Sequence, residues 1–224
     1  MNNTFFITGT DTNVGKTHVA TLLLEIAHAR GLSTLGLKPV SAGCIEHDGQ
    51  LVNQDAWDLL ERSSIKPDYA EVNPVALSEA MAPHIAAEQE GKLLNAGELA
   101  AHCRQMSKQA EFVVIEGAGG WQVPINTTET MADIAVSIGC PVVLIVGIRL
   151  GCLNHALLSA EAIQNSGLRL AGWVANLIDN DMAVASENIT ALEQRLHAPC
   201  IGTLPLGHDT HKYIDLDLLL SRPS

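Results

Sequence analysis

Short apolar runs alternate along the chain with longer stretches in which apolar residues recur every three or four positions. The runs at 4–8, 34–39, 112–116, 142–147, 171–176 and 199–202 are brief and rich in Val, Ile, Leu and Ala, and they predict strands. The periodic stretches at 17–30, 54–62, 95–109, 129–138, 153–166 and 184–196 predict helices. Runs that are apolar throughout, rather than at every second position, suit strands buried on both faces. With helices between them they imply a mostly parallel central sheet covered on both sides, an α/β fold of three layers. No linker, repeat or low-complexity segment interrupts the pattern, so residues 1–224 read as one domain. In such sheets ligands bind beyond the carboxyl ends of the strands.

Two of the predicted strands run straight into glycine-rich turns. After the first comes Gly9-Thr10-Asp11-Thr12-Asn13-Val14-Gly15-Lys16-Thr17, and then the first helix. A strand, a glycine turn and a helix N-terminus together aim bare N–H groups and partial positive charge at one point, which suits a phosphate. Lys16 then reaches the terminal phosphates of a nucleotide, and the Thr17 hydroxyl binds Mg²⁺. The usual spacing expects glycine at position 10, where Thr10 stands; Gly9 lies one residue earlier. After the third predicted strand comes Glu116-Gly117-Ala118-Gly119-Gly120, an acid at a buried strand end followed by glycines. It suits a second, metal-side contact on the same nucleotide. Together the two loops point to ATP and Mg²⁺ on a P-loop NTPase-like domain.

Composition narrows the rest. The 224 residues are 47% hydrophobic, enough for a full-sized core. A net charge of −12 argues against a nucleic-acid surface, and it suits a cationic substrate and simple solubility equally well. The five cysteines, Cys44, Cys103, Cys140, Cys152 and Cys200, are widely spaced and odd in number, and read as free thiols of a reducing compartment. No apolar run approaches the ~18 residues of a membrane span, and the chain enters its first strand without a basic leader. A cytoplasmic protein that binds no membrane is expected.

Four further features carry candidate chemistry. Lys38 stands at a predicted strand end, either as a solvated lysine or as a second ammonium facing the γ-phosphate. Asp55 is either an ordinary helix-start acid or a second carboxylate for Mg²⁺ beside Glu116 and Thr17; spacing alone does not decide. Gly151, Cys152, Leu153 and Asn154 fit a helix start, where Asn154 caps its own helix or free N–H groups bind a carboxylate. Cys152 reads as a small buried thiol, because no activating His/Asp pair accompanies it. His208 and His211 fall in a polar loop and are not assigned a metal.

Several segments together resemble the dethiobiotin synthetases, ATP-dependent enzymes acting late in biotin synthesis. They are GTDTNVGKT at 9–17, KPV at 38–40, NQDA at 53–56, VNP at 72–74, PHI at 83–85, VIEGAGGW at 114–121, VGIRLGCLNHA at 146–156 and AGWVAN at 171–176. The resemblance runs from the first strand to about Pro205. It implies ATP- and Mg²⁺-dependent carboxylation of 7,8-diaminononanoate by CO₂ and closure of a cyclic urea, giving dethiobiotin, ADP and phosphate. It implies that Thr12 lines the phosphate and carbamate region with Lys16 and Lys38. It implies that Asn13, Val14, Gly15, Lys16, Thr17 and His18 wrap the phosphates, with Gly117, Ala118 and Gly119 beyond them. Thr17, Asp55 and Glu116 would hold Mg²⁺, and Asn176 would read adenine with Pro205, Leu206 and Gly207. Residues 151–154 would receive the substrate carboxylate of the other subunit of a homodimer. Four positions depart from the family's pattern. Asn13 stands where an acid is often seen. Ala42 stands where a hydroxyl often contacts substrate, with Ser41 next door as a substitute. Ala82 replaces a serine, and Asn188 stands where a tyrosine can meet the substrate carboxylate. Two other classes share the phosphate loop: a partitioning-type nucleotide-switch ATPase, and a related ATP-dependent ligase acting on another acid.

Overall fold

The computed structural model of the chain describes residues 3–179, 181–207 and 211–221. Its central sheet has six strands, all parallel. In chain order they are β1 (Asn3–Gly9), β2 (Thr34–Leu37), β7 (Phe112–Gly120), β8 (Val142–Ile148), β9 (Leu170–Leu177) and β10 (Cys200–Leu204). Their spatial order is β10-β9-β8-β1-β7-β2. Four shorter strands lie outside the sheet. β3 (Val40–Ser41) pairs with β6 (Val75–Ala76), and β4 (Ile45–His47) forms a hairpin with β5 (Gln50–Val52).

The strands are buried on both faces, as runs without alternation require. Phe6, Val113, Ile115, Leu144, Val146 and Trp173 face one apolar layer, and Phe5, Ile7, Val114, Val143, Ile145 and Val174 face the other. The first layer is covered by α5 (Ala96–Met106), α6 (Met131–Ile138), α7 (Cys152–Asn165) and α8 (Ala185–Glu193). The second is covered by α1 (Lys16–Ala29), Leu59 of α2 (Gln54–Arg62) and the short α9 (Asp217–Leu220). Two further helices, α3 (Tyr69–Val72) and α4 (Pro83–Gln89), sit in the long connection between β2 and α5.

The elements read from sequence reappear with shifted ends. The run at 34–39 stops pairing at Leu37, so Lys38 and Pro39 lie just past the strand rather than at its end. The stretch at 95–109 is α5 followed by a 3-10 turn over Ser107–Gln109. The connection from 40 to 90 holds β3 to β6, α3 and α4 besides the predicted α2.

Candidate functional site

The sheet register brings the two glycine loops together. β1 lies beside β7 with Ile7 opposite Glu116 and Gly9 opposite Gly120, and on its other side Gly9 lies opposite Ile145 of β8. The loop after Gly9 turns over the carboxyl end of the sheet and enters α1 through Gly15, whose φ is 90°. A side chain strongly disfavours that conformation, and a Cβ there would come 2.2 Å from the Asn176 amide nitrogen. Asn13 also has positive φ, at 60°, which Asn tolerates better than most residues. Asn176 lies two strands away, opposite Gly147, and its Nδ2 donates to the Val14 carbonyl at 2.9 Å. Its side chain therefore braces the loop from beneath.

Charge gathers where the loops meet. Lys38 is buried, which removes the solvated reading, and its Nζ lies 2.7 Å from Asp55 Oδ2 and 2.6 Å from Glu116 Oε1. The Thr17 hydroxyl donates to the same Glu116 oxygen at 3.0 Å. The other oxygen, Glu116 Oε2, is buried without a hydrogen-bond partner. Burial works against the charge on Lys38, and the two carboxylates outweigh it, holding its pKa above the usual lysine value. Burial pushes Asp55 up and Lys38 more than offsets that, leaving it below the usual carboxylate range. Lys16 Nζ donates to the Asp11 carbonyl at 3.1 Å; burial, with Lys38 adding to it, pulls its pKa down against the pull of Glu116.

Local structure explains these placements. Asn53 caps α2, its Oδ1 accepting from the N–H groups of Asp55 and Ala56, and this sets Asp55 on the first turn facing Lys38. Lys38 is fixed by its own backbone, its N–H donating to Val72 O at 2.9 Å. Asp11 pairs with Arg149, which ties the first loop to the turn before α7.

The cleft above has a volume of about 920 Å³ and is lined by Thr12, Asn13, Gly15, Lys16, Thr17, Lys38, Ser41, Ala42, Asp55, Glu116, Ala118 and Gly119 among others. Of the remaining candidates, Val14 and Gly117 are buried beneath the loops and His18 is exposed on the first turn of α1. Pro205, Leu206 and Gly207 follow β10 at the same end of the sheet. Residues 151–154 do not line this cleft. Gly151 (φ 92°) precedes α7 with no side-chain cap, so Asn154 does not cap its own helix; Cys152 is buried and Leu150 is 91% exposed. Asn188 donates to Val184 O within its own helix, and His208 lies outside the described residues. Sequence reasoning assigned no role to Asn53, Asn73, Asp11 or Arg149, nor to Ala80, Met81 and Pro83, which also line the cleft.

The donor set at the cleft suits Mg²⁺. Thr17, Asp55 and Glu116 offer hydroxyl and carboxylate oxygens, the type a hard cation takes, and Glu116 has a spare buried oxygen. Among the described residues no group of three or more His, Cys, Asp or Glu side chains could hold a metal by itself, and nucleotide phosphates would add further oxygens.

Comparison with known proteins agrees with this geometry. The family model of an AAA domain matches residues 3–212. An ATP-dependent dethiobiotin synthetase BioD of Cellvibrio japonicus is 58% identical over 201 residues, covering 90% of this chain and 88% of its own. The protein of the same name from Marinobacter nauticus is 44% identical over 222 residues, covering 98% and 94%. Among solved structures, the septum site-determining protein MinD complexed with Mg-ADP, from Pyrococcus horikoshii, superposes with a TM-score of 0.61 over 92% of this chain and 82% of its own. At 14% identity that likeness concerns the fold alone. Two glycine loops joined through Thr17 and Glu116 beside a buried lysine, and relatives of this similarity over most of their length, lead to one conclusion: the chain belongs to the ATP-dependent dethiobiotin synthetase family.

Proposed function

We propose that the cleft at the two glycine loops is where this chain carries out the family's reaction, the ATP-dependent closure of a cyclic urea from 7,8-diaminononanoate and CO₂. The observation that carries the assignment is the buried Lys38 ammonium, set 2.6 Å from Glu116 and within the same cleft as Lys16. Phosphoryl transfer from ATP to an anionic acceptor requires positive charge gathered at the γ-phosphate in a partly dry site.

One amine of the diamine takes up CO₂ and loses a proton, giving a carbamate. A carbamate oxygen then attacks the γ-phosphorus, the bond to the β-phosphate oxygen breaks, and ADP leaves. The second amine attacks the carbonyl carbon of the mixed anhydride, phosphate departs with the C–O bond electrons and takes up the amine's surplus proton, and the ring closes. Lys16 and the N–H groups of residues 13–17 hold the phosphates, while Lys38 and Thr12 face the acceptor. Thr17, Asp55 and Glu116 would hold Mg²⁺, which would supply electrostatic stabilisation of the transferring group. No general base is required beyond orientation of an amine against an activated acid. Asn176 serves the base-binding end together with Pro205 to Gly207, through the same side chain that braces Val14.

The site is completed across a homodimer. At the carboxyl end of β8, outside their own protomer's cleft and beside the exposed Leu150, Cys152 spends its N–H on the Arg149 carbonyl at 3.0 Å, which leaves those of Gly151, Leu153 and Asn154 for a ligand. They receive the substrate carboxylate bound to the partner. The test is ATP turnover measured with the diamine and bicarbonate supplied together and singly, with the product identified by mass. ADP release that is indifferent to the diamine would reject the assignment and favour a nucleotide-switch ATPase.

A further inference from the structure

Beneath the cleft lies a buried amide that no part of the mechanism uses. Asn73 follows α3, is 3% exposed, and makes four hydrogen bonds, the full complement of a primary amide. Its Nδ2 donates to the Lys38 carbonyl at 2.7 Å and the Val75 carbonyl at 3.2 Å. Carbonyls cannot donate, so these two contacts fix which way the amide is turned. Its Oδ1 therefore accepts, from the Ser41 hydroxyl at 2.7 Å and the Tyr69 hydroxyl at 3.1 Å.

The polarity then propagates. A hydroxyl has one hydrogen, and that of Ser41 is committed to Asn73. The 3.1 Å contact between Ser41 Oγ and Cys44 Sγ must then have the thiol as donor. Ser41 lines the cleft with only a lone pair left to offer. By the same count the Tyr69 oxygen accepts from the Asn53 N–H at 2.8 Å, and Asn53 caps the helix that carries Asp55. One amide thus joins the backbone of Lys38, the hydroxyl of Ser41 and the start of α2.

We propose that Asn73 is a positioning residue for the reaction: it turns Ser41 into an obligate acceptor for a substrate amine N–H and fixes Lys38 through its carbonyl. The substrate class follows from that polarity. A lone pair at this wall favours an amine or ammonium and disfavours a carboxylate or alkoxide at the same spot, so Ser41 discriminates for the diamine rather than for its acid end. The proposal rests on the reading of the cleft as the reaction site.

The test compares Asn73→Ala, Ser41→Ala, the double variant and Lys38→Gln, each checked for folding by circular dichroism. N73A frees the Ser41 hydrogen. It raises KM for the diamine by about tenfold, the ratio of one hydrogen bond, with KM for ATP within about twofold of the parent. S41A gives a similar rise, and the double variant no more than the larger single one, because both remove the same contact. A merely structural role would lower the melting temperature and leave this split between the two KM values absent. Should N73A fail to fold, Asn73→Asp keeps the acceptor toward Ser41 and Tyr69 and loses the donors, so kcat falls while KM for the diamine stays near the parent value. Unchanged kinetics in folded N73A or N73D, or effects that multiply in the double variant, overturn the proposal. Normal turnover in K38Q overturns the reading of the cleft and the proposal with it. An inactive K38Q beside a kinetically normal N73A overturns the proposal alone.

Discussion

Gly15→Ala tests how the phosphate loop is held. Two costs can be read from the structure. The first is conformational: φ at Gly15 is 90°, and a side chain in left-handed backbone costs about 1–2 kcal/mol. The second is steric. The new Cβ would stand 2.2 Å from Asn176 Nδ2, which has to swing away and give up its 2.9 Å hydrogen bond to the Val14 carbonyl. Leaving that buried carbonyl unpaired adds about 1–3 kcal/mol. The sum is about 2–5 kcal/mol, a fall in Tm on the order of 10 °C for a chain of this size. Asn176→Ala alone costs only the lost bond. In the double variant nothing remains to clash with, and the lost bond is counted once, so its destabilisation should match that of G15A rather than the sum of the two. Urea unfolding of the four proteins, with KM for ATP measured alongside, makes the comparison. Strict additivity, or a G15A protein as stable as the parent, would refute the idea that Asn176 braces the loop through Val14.

Four further outcomes are expected. Lys16→Gln should keep its fold by circular dichroism and lose kcat by a factor corresponding to roughly 2.7–4 kcal/mol, the worth of a donor to the transition state; normal turnover would show that Lys16 does not touch the transferring phosphoryl. Asp55→Asn should raise the Mg²⁺ concentration needed for half-maximal rate, because a neutral amide is a poorer ligand for a hard cation, and an unchanged Mg²⁺ dependence would leave Asp55 as a helix-start acid. Burial pushes the Cys103 and Cys140 thiols up to about 12, while unfolded thiols ionise near 9, so the unfolded state loses protons first and stability should fall as pH climbs above 9. Urea titrations at pH 8, 9 and 10 should show a shallower fall in Cys103→Ala, by roughly 1 kcal/mol per pH unit. Finally, a bulky residue at Gly151 should raise KM for the diamine, and mixed dimers of that variant with Lys16→Gln should regain activity, since one of their two sites then carries neither lesion; verified heterodimers that stay dead would place each site within one chain.

What the sequence disclosed depended on how local the signal was. The six sheet strands announced themselves because parallel strands buried on both faces are unbroken apolar runs. The β3–β6 pair, two residues in each strand, has no room for a period. The β4–β5 hairpin did carry a signal in Asp48-Gly49, both at positive φ, but its strands are exposed or half-buried and show no apolar face to flank the turn. That Lys16, Thr17 and Glu116 share one end of the sheet was legible from the glycine loops. The burial of Lys38 was not, because its partners Asp55 and Glu116 lie 17 and 78 residues away and only the folded sheet brings them to one ammonium. Asn73 is a similar case, since its contacts to Ser41 and Lys38 cross 32 and 35 residues.

The strand order has a consequence for how the chain is made. Among the described residues β1 pairs only with β7 and β8, and β2 only with β7, so none of these sheet pairings can form within residues 1–111. A ribosome adding on the order of 10 residues per second needs roughly ten seconds to carry synthesis from the first phosphate loop to the end of β7. For that interval Phe5, Phe6, Ile7, Leu35 and Leu37 sit on strands without neighbours. The emergence of β7 supplies the one neighbour of β2 and one of the two neighbours of β1, and brings Glu116 between the glycine loops, while the other edge of β1 waits for β8.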